Sequence, residues 1–72
     1  MQKAKNGAAE GARLALATPM AVSEYLGVPV ATLYQWRHRG VGPRAHKLGR
    51  HLRYRWSEVE AWVDEQATDL VA

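Results

Sequence analysis

A chain of 72 residues has room for one small domain and none for a cleft built between domains. It contains no cysteine, which excludes a disulfide framework and a thiolate zinc site. The formal charge is +3, and no apolar run reaches the roughly 20 residues of a spanning helix. A soluble, cytoplasmic protein is expected, with no membrane partner.

The charge is unevenly placed. Arg37, Arg39, Arg44, Lys47, Arg50, Arg53 and Arg55 follow one another with no acid between them. All three histidines, His38, His46 and His51, lie in the same stretch. From Trp56 onward come Glu58, Glu60, Asp64, Glu65 and Asp69, with no Lys or Arg. A molecule polarised in this way offers its basic side to a polyanion. The alternative is a solvated surface whose bases pair with the acidic segment.

Residues 1–17 read as a loose leader, rich in alanine and glycine, from which Leu14 and Leu16 can dock. Thr18-Pro19 is a helix start: the threonine caps free amide donors and the proline suits the first helical position. The helix is predicted to stop at Gly27, with Val22, Tyr25 and Leu26 inward. Gly27-Val28-Pro29 makes a tight turn, and Pro29 is expected to open a second helix that ends at Gly40. On that helix Val30, Leu33, Trp36 and Arg37 share one side. Ala31, Thr32, Gln35, His38 and Arg39 share the other, with Tyr34 at the boundary.

A connector with Gly42-Pro43 follows. Leu52, Tyr54 and Trp56 alternate with Arg53 and Arg55, and this period of two predicts a strand running to Trp56. His46-Lys47-Leu48 is its partner across a Gly49-Arg50 turn. Ser57 and Glu60 have the spacing of a capping box. They predict a last helix with Val59, Trp62 and Val63 inward, ending near Gln66 to Thr68. Leu70-Val71 can dock or fray. The domain is thus expected over 18–68, between the leader 1–17 and a tail 69–72. The order is helix, tight turn, helix, hairpin, helix. The expected fold is mainly α with a small β-hairpin: a helix-turn-helix with a wing.

Four segments in this order resemble a known family. Residues from Thr18 to Val28 resemble the opening helix of small MerR-like winged-helix proteins, among them the excisionases of phages and integrative elements. The run from Thr32 to Gly40 is similar to their second helix. Lys47 to Arg55 is similar to their wing, and Ser57 to Val63 to their closing helix. The resemblance implies a DNA-binding recombination directionality factor. Such a protein binds repeated sites near an attachment site, bends the DNA and directs an integrase toward excision in a bacterial host cell. The partners it implies are double-stranded DNA, an integrase and neighbouring copies of the chain. A small transcriptional regulator has the same fold. A protein-interaction module such as an anti-repressor would use the acidic last helix instead.

Thr32, Tyr34, Gln35, His38 and Arg39 carry donors, acceptors and a stacking plane along roughly 11 Å of helix at 1.5 Å per residue. The major groove is about 12 Å wide and admits one helix. On the wing, Lys47, Arg50, His51, Arg53 and Arg55 suit phosphates or the minor groove. Tyr54 is expected to bury its ring and keep its hydroxyl for a phosphate. Trp36 and Trp62 share apolar stripes and are expected in the core, as is Trp56. No Ser/His/Asp spacing, phosphate loop or carboxylate pair points to catalysis. His46 and His51 lack a third ligand for a metal. No enzyme activity, cofactor, metal or small-molecule substrate is expected.

Overall fold

The structure, a computed structural model, describes residues 15–67. The expectations for Leu14, for Leu70-Val71, for most of the leader and for the tail lie outside these residues. Helix α1 spans Pro19–Leu26 and helix α2 Val30–Arg39. Strands β1, His46–Leu48, and β2, His51–Arg53, form an antiparallel hairpin, and helix α3 spans Trp56–Glu65. The order is that of a winged helix-turn-helix.

The ends of α1 follow the local chemistry. The Thr18 hydroxyl accepts the Ala21 N–H at 3.1 Å, and Pro19 sits in the first turn. Gly27 closes the helix in the left-handed region and donates its N–H to the Ser23 carbonyl at 2.8 Å. The Val28 N–H reaches the same carbonyl at 3.2 Å, satisfying an orphan acceptor twice. The Ser23 hydroxyl donates to the Val28 carbonyl. The turn into α2 is thereby tied to α1 from both sides.

Pro29 is not the first helical residue. It is the N-cap of α2, with ψ at 150°, and its carbonyl accepts the Thr32 N–H at 2.9 Å. The ring fixes φ near −64°, a value that suits a cap as well as a first turn. The backbone leaves the helix through ψ alone.

Strand β2 is shorter than the alternation predicts. Tyr54 turns its backbone away from β1 and pairs with Ala17, with Ala17 N–H to Tyr54 carbonyl at 2.8 Å and the reverse bond at 2.9 Å. Ala17, the last residue of the expected leader, is therefore buried in the fold. Trp56 then begins α3 instead of ending the strand. Its ring meets Tyr25 of α1 edge to face, with centroids 5.4 Å apart. The capping box does not form. Arg55 is the N-cap without a side-chain bond, and Ser57 already lies inside the helix.

The three helices and the second half of the wing send apolar side chains to one core: Val22 from α1, Leu33 from α2, Leu52 from β2, Tyr54 from its extension, and Val59 from α3. Leu26, Val28, Trp36, Ala45 and Trp56 pack around them. Tyr25, expected inward, stays half exposed beside Trp56. Trp36 and Trp62 pack at 5.3 Å between centroids, which joins α2 to α3.

The connector crosses Trp36 at Gly42. A Cβ there would lie 2.8 Å from Trp36 Cε3, and φ is +84°. Gly40, at φ +75°, faces open space. Gly42→Ala must displace the indole as well as strain the backbone, so it is expected to destabilise by about 1–3 kcal/mol. Gly40→Ala pays the backbone strain alone and should cost less. Thermal melts of both variants check this; equal losses would mean that contact with Trp36 does not matter.

Candidate nucleic-acid interface

Once Leu33 is buried, helical geometry fixes what α2 shows to solvent. Tyr34, Gln35, His38 and Arg39 are exposed, and Thr32 is half-buried. Tyr34, Gln35, Arg37, His38 and Arg39 line one shallow hollow on this face. Arg37, expected inward beside Trp36, is exposed and belongs to the hollow. The signal for it was available: Tyr34 lies three residues earlier, one turn back along the same edge.

The wing adds a second basic surface. Register pairs His46 with Arg53, Lys47 with Leu52 and Leu48 with His51. Directly opposed residues share a face, so Lys47 lies on the face from which Leu52 enters the core, though itself exposed, while His46, Leu48, His51 and Arg53 take the other face. Lys47, Arg50, His51 and Arg55 are exposed. Arg53 is half-buried, and its Nη1 donates to the Leu52 carbonyl at 2.8 Å.

Tyr54 departs from expectation. It is 1 % exposed, so ring and hydroxyl both belong to the core and the residue offers no phosphate contact. Burial raises its pKa above the usual 10.0; Tyr34 pushes the same way and Arg37 pulls against them. Tyr54 shares one core cluster with Leu33 of α2, and the two basic surfaces are joined through it.

Among the described residues the ion pair between the acidic helix and the wing comes from His46. His46 Nε2 lies 2.7 Å from Glu58 Oε1, with both side chains about one-third exposed. The bond from His46 holds the Glu58 carboxyl below its usual 4.5 against the opposing push of desolvation, with help from the charges of His46, Arg44 and Arg55. A lowered carboxyl pKa stabilises the fold above the unfolded value, and that stabilisation is lost as pH falls through the folded value. The wild type should therefore lose thermal stability more steeply than Glu58→Gln between pH 5 and the acid limit, about pH 3. Parallel melting profiles would contradict the bond. Nothing in the spacing of two residues twelve apart announces this contact.

Among the described residues no three His, Cys, Asp or Glu side chains gather as metal ligands. No helix among them is long and apolar enough to cross a membrane. No curated protein matches the chain. A family model described as a helix-turn-helix domain matches residues 18–67, which takes in α1, α2, the hairpin and α3. With the buried faces of all four elements meeting in one core and α2 presenting its polar face outward, the chain belongs to this helix-turn-helix family and is a DNA-binding protein.

Proposed function

We propose that the chain is a sequence-specific excisionase, a recombination directionality factor that binds repeated sites beside an attachment site, bends the DNA and turns an integrase toward excision. The observation that carries sequence-specific binding is the exposed face of α2, with Tyr34, Gln35, His38 and Arg39 beside a basic hairpin. The MerR-like, excisionase-type resemblance of the four segments supports the recombination role.

In this reading α2 lies in the major groove. Gln35 suits the N6 and N7 edge of adenine, Arg39 suits guanine or a phosphate, and the Thr32 methyl suits thymine. Lys47, Arg50, His51, Arg53 and Arg55 hold the backbone and set the register. One short helix and a wing read few base pairs, so selectivity comes from neighbouring copies on adjacent repeats. Asp64 and Glu65 stand in the last turn of α3 with no basic residue beside them in that turn. They are available to the basic wing of the next copy, a head-to-tail contact that the shared DNA favours. No chemical step is assigned to the chain.

Footprinting on DNA flanking an integrase recognition sequence tests the proposal. Phased, adjacent protections support an excisionase. A single protection at a promoter points to a transcriptional regulator. No protection anywhere favours a protein-interaction module working through α3.

A further inference from the structure

We propose that the hollow on α2 reads the 5-methyl group of thymine, with the Tyr34 ring as its floor. This rests on the DNA-binding reading above and adds to it the base chemistry that the face selects.

The hollow is unusual for a surface that would hold only phosphates. Its lining residues are Tyr34, Gln35, Arg37, His38 and Arg39, yet most of what they show inside it is carbon. Tyr34 is half exposed, at 50 %, with its ring at the edge of the polar face. His38 lies one turn further on and Arg37 three residues on, so both stand over the same edge of the helix. A long cationic side chain can lay its stem on apolar surface and keep its charge in water. Arg37 and Arg39 thereby form carbon walls with cationic rims.

The floor is also held in place. Tyr34 is carried on α2. Leu33, its chain neighbour, is buried in the core. A shallow, largely apolar hollow on a groove-reading helix suits one kind of occupant. Among the groups that base pairs present in the major groove, the thymine methyl is the apolar one. The positive rims match the polyanion on either side of it. Gln35 lies one stripe away on the same face, placed for the adenine edge of the same or an adjacent pair. A hollow for thymine and an amide for adenine select A·T pairs together.

The test starts from random duplexes selected on the wild-type protein, followed by replacing each thymine of the enriched site with deoxyuridine. This removes the methyl and leaves charge and hydrogen-bonding edges unchanged. Loss of one buried methyl should weaken binding about four-fold at one or two positions. In Tyr34→Ala at least one of those positions should become insensitive to the replacement, whereas Tyr34→Phe should keep every position sensitive; a position read by the Thr32 methyl stays sensitive in both. Binding to random duplex serves as the control that both variants fold. If no position is sensitive, or if every sensitive position stays sensitive in Tyr34→Ala, the methyl is read elsewhere or not at all and the inference fails while DNA binding stands. If no sequence is enriched, the DNA-reading face itself fails and the inference goes with it.

Discussion

Leu33→Ala is expected to unfold most of the protein near room temperature. Leu33 is the one buried residue of α2 and is 1 % exposed. Cutting a buried leucine to alanine costs about 2–5 kcal/mol. A single core in a chain of this size supplies only about 3–5 kcal/mol. The loss is therefore comparable to the whole stability. Leu33→Met, which conserves volume, should cost under about 1.5 kcal/mol and stay folded. Circular dichroism against temperature and urea separates these outcomes. An alanine variant melting with the wild type would show that α2 is not anchored through Leu33, and the position of its outer face would then lose its physical basis.

The second large effect is on affinity. Arg37 and Arg39 on α2 and Lys47, Arg50 and Arg55 on the wing are exposed cations. If 4–6 phosphates are neutralised, the logarithm of affinity falls with the logarithm of salt at a slope near −4 to −5. That is roughly a 300- to 1,000-fold loss between 50 and 200 mM. Anisotropy titrations over that range measure it directly. A flat profile would remove the phosphate contacts from the account. Arg53→Ala should lower affinity for all sequences alike and by less than Arg50→Ala, because the Arg53 guanidinium already bonds the Leu52 carbonyl.

What could be read from the chain alone were the features fixed by neighbours in sequence. Thr18, Pro19 and Gly27 act within one turn of where they stand, and the structure uses them as caps and first turn. Leu52 and Tyr54 alternate with polar residues and both reach the core. The failures share another origin. Trp56 continues that alternation but packs on Tyr25 of α1, a contact across more than half the domain. Its placement draws Arg55 into the cap and leaves the Ser57–Glu60 box unused. Tyr54 has a polar tip that local reasoning sends to solvent, whereas the bridge to Ala17 holds the whole ring inside.

The site followed the same division. That Tyr34, Gln35, His38 and Arg39 face solvent was legible because one helix places them. Arg37 was misplaced because it sits where the two stripes of α2 meet; it is exposed and lines the hollow with Tyr34, one turn back. The His46–Glu58 bond joins β1 to α3 and needs the tertiary fold to exist.

The central claim is that the outer face of α2 reads bases while the wing only holds the backbone. The most direct measurement is the affinity of Gln35→Ala for a selected site and for random duplex, beside the wild type at one salt concentration. The account predicts a loss of about 1–3 kcal/mol on the selected site, roughly 5- to 150-fold, and little change on random DNA. Equal losses on both duplexes, or no loss on either, would contradict it.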